Sequence, residues 1–491
     1  MACSHWFDGF STVHNFELVP GSGGQCSEIW YSSYCQVDHL IEQARRTGRL
    51  EGITFGQKRD PCDTLYHKVK SVFAPYAATT PRTANIGVVI RDPMPGELKH
   101  TQDTYGNVAG RRIRSVTTDT CNTKHFDADT LEPLGVTRQE HLHPSLTGPV
   151  SAAHAAHDPV TGEIFNYNLS FGPTQTYKVF RACQKSGKVD ILAKYSSGRD
   201  VHGAYIHSLL LTEHFVVLCI WPAFFAGTGL SILWQRNLLE AIAPFDLKAK
   251  ATWLVVDRHG KQGLVKQFKS PAFFCFHTVN AWEEQGHNDS TVDIICELVE
   301  FNNLNILHRF YYENLVSDER NVKDFDRTHG KNTTLGLARY KLADVPLNNG
   351  HSKVKKSSRT SPAERILYIP APAAGDLPRI NPRYALRPHR YVWSVLDRGK
   401  SSFLDGLGKT DTETQTCLVW EYPRHTPGEP IFVPAPNVQQ EDEGVVLSVV
   451  LDGDTGMSYL LCLDARTMEE VGRADVGAAV GLGFHGVHVS V

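Results

Sequence analysis

The residues of this chain that are best suited to chemistry are histidines, of which the chain has 23. Four of them stand on separate strand-like segments rich in Val, Ile, Phe and Tyr, at His154, His207, His277 and His485. Neutral imidazole binds iron, zinc, copper and nickel, so four such nitrogens leave the identity of a metal open. A lone histidine on an apolar strand is more often a packed core residue than a ligand. None of the four is therefore assigned singly.

Each of these histidines lies inside a longer local pattern. The patterns are Ala153-His154-Ala155-Ala156-His157-Asp158-Pro159, Tyr205-Ile206-His207-Ser208, Phe276-His277-Thr278-Val279-Asn280-Ala281 and Gly483-Phe484-His485-Gly486. Two further motifs accompany them, His5-Trp6-Phe7-Asp8-Gly9 and Arg379-Ile380-Asn381-Pro382-Arg383-Tyr384. Together these patterns resemble the carotenoid cleavage oxygenase family, and the insert at residues 37–74 looks similar to fungal members. The resemblance covers nearly the whole chain.

The resemblance implies a non-haem Fe(2+) centre with no organic cofactor and no catalytic residue beyond the metal ligands. It identifies the ligands as His154, His207, His277 and His485. The family supports three of its ligands with glutamates, and the matching positions here are Asp119 for His207, Asp376 for His277 and Glu429 for His485. Since aspartate is one methylene shorter than glutamate, we expect a backbone shift or a water molecule to bridge the difference at two of the three.

The resemblance also implies a reaction. Members of the family add both atoms of dioxygen across a C=C bond of a carotenoid or apocarotenoid and release two carbonyl products. We therefore expect an apolar small-molecule substrate and O2 as partners. Stilbene cleavage is an alternative, but stilbene-cleaving members use a lysine where this chain has Thr118. A propeller that lacks iron, or that only binds lipid, is a further alternative.

Short strand-like runs separated by Gly, Asp, Asn and Pro predict an all-β protein. The runs lie at residues 86–90, 163–171, 204–211, 251–256, 273–279, 391–396, 416–422 and 444–450. Ligands spread from residue 154 to residue 485 cannot meet on one hairpin, whereas a propeller brings the inner strands of its blades to one axis.

The resemblance implies a single domain over residues 1–491, a seven-bladed β-propeller with a helical and loop cap over the active-site face. The insert at 37–74, with helical periodicity at 37–50 and 61–74, is predicted to form the cap. Residues 347–364 are predicted to be a flexible polar loop. In the family several dozen residues precede the His-Trp-Phe-Asp-Gly motif, which begins here at residue 5. The chain therefore looks N-terminally truncated, and we expect one incomplete blade with an unpaired edge.

Composition and net charge limit the classes of partner that the protein is expected to bind and where in the cell it is expected to be. A net charge of -3 and a pI near 6.8 give no broad attraction to phosphate backbones, so no nucleic acid is expected. The eleven cysteines form no C-x-x-C pair, and the first residues lack a basic region followed by an apolar one. We therefore expect a cytoplasmic protein with reduced thiols, peripheral to membranes or lipid bodies.

Residues 214–235 carry no formal charge, a length sufficient on paper to cross a bilayer. Pro222, Gly227 and Gly229 interrupt this stretch, so it is interpreted as a buried strand followed by an apolar loop. Core packing is the preferred role of its aromatic residues. A peripheral membrane contact is the alternative, through Trp221, Phe224 and Phe225.

Two tempting motifs are rejected. Residues 481–486 match G-x-G-x-x-G, but no helix-forming unit follows as dinucleotide binding requires. His157 and His488 stand three residues after two of the candidate ligands. On a strand this spacing points the side chains to opposite faces, so neither is expected to be a ligand.

Overall fold

Short antiparallel strands dominate the computed structural model of this chain. The structure describes residues 3–22, 25–50, 52–59, 80–99, 101, 110–196, 198, 202–315, 334–347, 360–401, 403–437, 439–482 and 484–489. Within these residues the strands form seven sheets, of which six have four or five strands and one has two. The six larger sheets are the blades of a propeller, numbered here 1 to 6 in chain order. The prediction of a mainly-β propeller with an incomplete blade is confirmed.

Most blades are built in up-and-down order, with each strand hydrogen-bonded to the next. The two-stranded sheet is β1 (Thr12–Pro20) and β2 (Cys26–Cys35). The strands of blades 1 to 3 are β3 (Val89–Arg91), β4 (Ile113–Thr117), β5 (Asn122–Asp127) and β6 (Pro133–Arg138); β7 (Ala156–His157), β8 (Ile164–Ser170), β9 (Thr176–Ala182) and β10 (Val189–Ser196); and β11 (Leu210–Leu211), β12 (Phe215–Ile220), β13 (Lys250–Asp257) and β14 (Leu264–Pro271).

The strands of blades 4 to 6 are β15 (Thr278–Gln285), β16 (Thr291–Phe301), β17 (Leu335–Pro346) and β19 (Glu364–Pro370); β20 (Asp376–Arg379), β21 (Tyr391–Leu396), β22 (Gly406–Asp411) and β23 (Thr416–Trp420); and β24 (His425–Pro427), β25 (Ile431–Pro434), β26 (Gly444–Asp452), β27 (Ser458–Asp464) and β28 (Glu470–Asp475). One short strand, β18 (Ser361–Pro362), lies between β17 and β19 in the chain. It does not join blade 4 but pairs in parallel with β14 of blade 3.

Middle strands such as β12 and β13 are rich in β-branched and aromatic residues and are buried nearly throughout, because both of their faces pack against neighbouring sheets. The first strands of blades 2 to 5 contact one another in sequence, from β7 to β11, β15 and β20. These first strands therefore surround the axis of the propeller, where side chains from distant parts of the chain meet.

Helices are few and short in the described residues. They are α1 (Asp38–Thr47), α2 (Gln139–Leu142), α3 (Leu230–Gln235), α4 (Asn305–Arg309) and α5 (Tyr312–Leu315), with 3-10 turns at Trp6–Asp8, Ala226–Gly229 and Pro382–Tyr384. The predicted helix at 37–50 is confirmed as α1, which buries Leu40 and Ala44 and ends at Gly48 in the left-handed conformation that glycine favours. The predicted helix at 61–74 lies outside the described residues.

Two of the predicted strands are wrong over most of their length. In 204–211 only Leu210 and Leu211 are in a strand, and in 273–279 the strand starts at Thr278. Both segments are apolar and buried, but they run along the axis, where isolated bridges replace a continuous ladder. Residues 348–359 of the predicted polar loop lie outside the described residues, and its end at 361–362 is β18.

The segment 214–235 is a buried strand, β12, followed by a turn and α3. Trp221 is fully buried and its indole N–H donates to the Tyr205 carbonyl at 2.8 Å, while Phe225 is 3% exposed. Packing against the core therefore occupies Trp221 and Phe225, which contradicts a membrane contact through these two rings, whereas Phe224 is half-buried. Among the described residues, none of the helices has both the length and the apolar character needed to cross a bilayer.

A buried ion pair joins blades 2 and 3. Asp158 begins a turn after β7, where one carboxylate oxygen accepts the Val160 and Thr161 N–H groups, and the other pairs with Arg258. Burial alone would raise the pKa of Asp158, but the guanidinium and the two N–H groups outweigh it and lower the pKa to about 2. A depressed pKa stabilises the fold above the unfolded-state value of about 3.9 and stops doing so as the pH falls towards 2.

We expect Asp158→Asn to lower the free energy of unfolding by about 3 kcal/mol at pH 7, because it removes the nearer of the two carboxylates that face the buried Arg258 and leaves only Glu163, at 3.6 Å. The loss should shrink at pH 3, because Asp158 of the unfolded chain is then largely protonated and the pair contributes less to stability. Urea denaturation at both pH values measures the effect. The control is Asp129→Asn, which removes an exposed pair with Arg112 and should cost less than about 1 kcal/mol. Equal costs for the two variants would contradict the assignment.

Candidate metal centre

The four predicted histidines lie where the chain arrives at the propeller axis. His154 comes two residues before β7, His207 three residues before β11 and His277 immediately before β15. The fourth, His485, lies in a segment without helix or strand that follows β28. Backbone hydrogen bonds hold the first three, since the His154 N–H donates to the His207 carbonyl at 3.0 Å and the His277 carbonyl accepts the Val299 N–H at 3.0 Å.

The four imidazoles converge on one point. One ring nitrogen from each lies within 4.8 Å of the corresponding nitrogens of the other three. The Nε2 atom of His485 is 2.9 Å from that of His154 and 3.3 Å from that of His277. The structure thus brings together all four histidines singled out in the sequence. The rejected neighbours His157 and His488 are exposed to solvent.

Three of the four rings are held by carboxylates at the nitrogen that faces away from the centre. The Nδ1 atom of His277 lies 2.7 Å from Asp376 Oδ1, and that of His485 lies 2.8 Å from Glu429 Oε1. The Nδ1 atom of His207 lies 2.8 and 2.9 Å from the two oxygens of Asp119. A carboxylate accepts a hydrogen bond from the Nδ1–H group, so these contacts fix the tautomer that leaves Nε2 unprotonated.

The two aspartates reach their histidines directly, so the expected bridging water is not needed. Asp119 lies in the turn between β4 and β5, and this turn carries its short side chain up to the ring of His207. The Tyr205 hydroxyl donates to Asp119 Oδ2 at 2.9 Å and so shares the carboxylate with His207. Tyr205 was missed by sequence reasoning, although its position two residues before His207 places both on one side of an extended chain.

Glu429 is the carboxylate of the three that pairs with an arginine. Besides His485 it receives the Gly486 N–H at 2.9 Å and two bonds from Arg379, at 2.9 and 2.8 Å. Burial alone would raise the pKa of Glu429, but the charge of Arg379 and the bond from His485 lower it to about 2. A Cβ atom at Gly486 would lie 2.6 Å from Ile431 Cδ1, so a larger residue here would have to displace the end of that side chain.

His154 and His485 are held in the neutral form. Burial lowers the pKa of His154 well below its ordinary value, and the three facing rings lower it further. Burial also lowers the pKa of His485, to about 4, even though Glu429 opposes the shift. The pKa of Asp376 is lowered as well: its burial acts in the opposite direction, but the contact with His277 prevails. His154 and His485 therefore present unprotonated nitrogens near pH 7.

This donor set fits a metal cation. Three Nε2 lone pairs whose rings carry their protons on Nδ1 point at one another, an arrangement that repels until a positive charge lies between them. The three carboxylates carry three negative charges and Arg379 carries one positive charge, so the group as a whole matches a divalent ion. Neutral imidazole is a ligand for iron, zinc, copper and nickel alike, and geometry alone does not choose among them.

A cavity of about 2010 Å³ opens on one side of the centre, and His207, His277 and His485 form part of its wall. Most of the remaining wall is apolar and aromatic, including Trp6, Phe7, Phe55, Phe276, Phe310, Phe403 and Phe484. Phe276 directly precedes His277, and Phe484 directly precedes His485. The ring of Phe7 contacts both phenylalanines, with centroid distances of 5.8 Å to Phe276 and 5.0 Å to Phe484. The sequence motifs pointed to these three rings, but nothing marked Phe310 and Phe403 as wall residues.

Hydrogen bonds of the motif at residues 5–9 hold part of the cavity wall in place. The buried Asp8 accepts the N–H groups of Phe55 and Gly56 at 2.7 and 2.8 Å. His5 accepts the Phe7 N–H through Nδ1 and donates from Nε2 to the Leu307 carbonyl at 2.8 Å. Gly56 passes so close that a Cβ atom would lie 2.6 Å from the His5 ring. These bonds hold Trp6 and Phe7 in the cavity wall, where both rings contact Phe484.

Comparison with known proteins agrees with this arrangement. The family model described as retinal pigment epithelial membrane protein matches residues 1–490. A torulene dioxygenase of Gibberella fujikuroi is 39% identical over 99% of this chain and 84% of its own length. A carotenoid dioxygenase of Neurospora crassa is 41% identical over 99% of this chain and 82% of its own length.

Among solved structures, a variant of the Synechocystis apocarotenoid oxygenase superposes with a TM-score of 0.71. It is 19% identical, and the match covers 99% of this chain and 88% of that one. At this identity the match establishes the fold. It agrees with the propeller described above.

Because Asp119 already meets His207 without a gap, we expect Asp119→Glu to be harmful. The added methylene must fit into a site that is 11% exposed and shared with Tyr205, so overpacking should lower the free energy of unfolding by about 1–3 kcal/mol. Urea denaturation measures this. The matched control is Asp129→Glu on the surface, expected to change stability by less than about 0.5 kcal/mol. A variant as stable as the wild type would contradict the fit.

Proposed function

The chain belongs to the carotenoid cleavage oxygenase family, whose model spans residues 1–490, and from this premise we propose that it is a ferrous-iron dioxygenase that cleaves a C=C bond of a carotenoid or apocarotenoid. The reaction adds one oxygen atom of O2 to each carbon of the broken double bond and releases two carbonyl products. The observation that supports this most strongly is the group of four histidines beside a large apolar cavity.

We assign His154, His207, His277 and His485 as the metal ligands, with Asp119, Asp376 and Glu429 holding three of the rings in place. Bound ferrous iron supplies the redox chemistry that activates dioxygen. The histidines would hold the ion with neutral nitrogens, so its dipositive charge stays available to a ligand. The carboxylates keep each Nδ1 protonated and each Nε2 directed at the ion.

The cavity accounts for the choice of an apolar, extended substrate. Its volume exceeds the 300–1,000 Å³ that is typical of pockets for compact ligands. Aromatic rings next to His277 and His485 exclude water and give a polyene flat surfaces to lie against. A substrate held in one register along these walls presents one double bond to the ligand cluster, so the walls determine the position of the cleavage.

We place the contact with a lipid surface at the mouth of the cavity and not at Trp221, Phe224 and Phe225. Ile53 and Leu230 line the mouth and are 39% and 68% exposed. Apolar residues exposed around an apolar opening suit the transfer of a poorly soluble substrate from a membrane or lipid body. The cytoplasmic location stays a prediction.

The ligand assignment predicts that His277→Ala loses most of its iron. The wild type should contain about one iron per chain after anaerobic loading, whereas a three-histidine site leaves one coordination position without its nitrogen and a buried Asp376 without its partner. Metal analysis of the purified proteins measures this. The control is His157→Ala, which changes an exposed histidine three residues from His154 and should retain the wild-type content. Equal iron in both variants would exclude this ligand set.

The substrate assignment predicts carbonyl products from polyenes alone. Incubation under ¹⁸O2 with torulene, a β-apocarotenal and resveratrol, followed by mass spectrometry, should give labelled aldehydes from one or both polyenes. Resveratrol should stay intact, since Thr118 lines the cavity where a phenol-binding lysine is expected in stilbene-cleaving members. Aldehydes from resveratrol alone would favour stilbene cleavage, and binding without any product would favour the lipid-binding alternative.

A further inference from the structure

His485 differs from the other three ligands in how the fold holds it. Blade 6 ends with β28 at Asp475, and residues 476–482 and 484–489 contain neither helix nor strand. His154, His207 and His277 each stand at the start of a first strand of a blade. A backbone ladder therefore does not fix His485, and side-chain bonds must do so.

The side-chain bonds that hold His485 are made by Glu429 and Arg379. The guanidinium of Arg379 donates to both oxygens of Glu429, and the same oxygens accept His485 Nδ1 and the Gly486 N–H. Arg379 also donates to the Gly486 carbonyl at 2.9 Å. Two bonds thus hold the segment around His485 at residue 486. The Glu429 carboxylate accepts the Gly486 N–H, and the Arg379 guanidinium donates to the Gly486 C=O. The Glu429 side chain is only 4% exposed, so this carboxylate has little water to replace a lost partner.

Arg379 belongs to the strand that also carries Asp376. Strand β20 has four residues, with Asp376 at its start and Arg379 at its end, and a register shift lies between them. Such bulges turn side chains to directions that a regular strand does not allow. From one strand Asp376 reaches His277, which precedes blade 4, and Arg379 reaches Glu429 in blade 6. Blade 5 contributes no histidine to the centre, yet its first strand supports two of them.

We propose that Arg379 is a positioning residue of the metal centre. It acts through Glu429 and Gly486 to fix His485, and strand β20 is the common support of His277 and His485. This inference rests on the proposed metal-binding function. It also assigns a role to the motif at residues 379–384, which no ligand or wall residue had accounted for.

Geometry and charge make opposite predictions for this residue. The positive charge of Arg379 opposes a divalent cation, so removing the charge alone should tighten metal binding. If Arg379 positions His485, losing its two parallel bonds should weaken metal binding instead. Lysine keeps the charge but cannot form the two parallel bonds of a guanidinium with a carboxylate. Arg379→Lys therefore separates position from charge.

The experiment compares Arg379→Lys with Arg390→Lys. Arg390 lies in the same blade, makes two bonds to Asp411 and has nearly the same side-chain exposure, 37% against 38%. Both variants and the wild type are loaded with Co(II), a spectroscopic substitute for Fe(II). The visible spectrum and the Co(II) affinity, obtained by competition with a chelator, are measured, together with hydrogen exchange at the Gly486 amide in metal-free protein.

We expect Arg379→Lys to bind Co(II) about 10- to 100-fold more weakly than the wild type, with an altered visible spectrum and faster exchange at Gly486. Arg390→Lys should match the wild type in all three measurements. A variant Arg379→Lys with wild-type affinity, spectrum and exchange would overturn the inference. The exchange measurement does not depend on metal, so wild-type protein that fails to bind Co(II) refutes the proposed function while the positioning of His485 is still judged at Gly486.

Discussion

Four nitrogen lone pairs directed at one point repel one another, and the structure is organised around holding them there. Three carboxylates do this by accepting hydrogen bonds from the outward Nδ1–H groups of His207, His277 and His485 at 2.7 to 2.9 Å. The arrangement stores electrostatic repulsion that a cation relieves. Burial adds to this, because it keeps His154 and His485 from taking up protons in place of a metal.

A propeller meets this constraint because its first strands end at a common axis. His154, His207 and His277 each lie just before the first strand of a blade. The segments that carry them are not regular strands, as the residues before β11 and β15 show. The same segments carry Phe276 and Tyr205, so one stretch of chain supplies a ligand, a wall residue and a hydrogen bond to a supporting carboxylate. Site and cavity are thus made by the same backbone.

Sequence reasoning succeeded where a short motif carries the information. The four histidines, their three carboxylates and the helix α1 lie where they were expected, because a short motif marks each of them, even though the carboxylates lie 56 to 99 residues from their histidines. It failed where the surrounding structure, and not the local sequence, determines whether a segment forms a strand or a side chain is buried. Residues 204–209 have the composition of a strand, but at the axis they form only isolated bridges, of Ala204 with Phe224 and of Ser208 with His154. A membrane contact through Trp221 and Phe225 was an alternative to core packing in the sequence, and the burial of both rings shows that they are core. Arg379 and Tyr205 act through partners 50 and 86 residues away, a relation that the linear sequence does not display.

The late position of His485 has a consequence for how the protein matures. Its ring is the last of the four to leave the ribosome, after every strand from β1 to β28 has been synthesised. A nascent chain that has made only blades 1 to 5 can offer three imidazoles at most, and lacks Glu429 as well. The cluster of four imidazoles can therefore form only after the strands of all six blades have been synthesised.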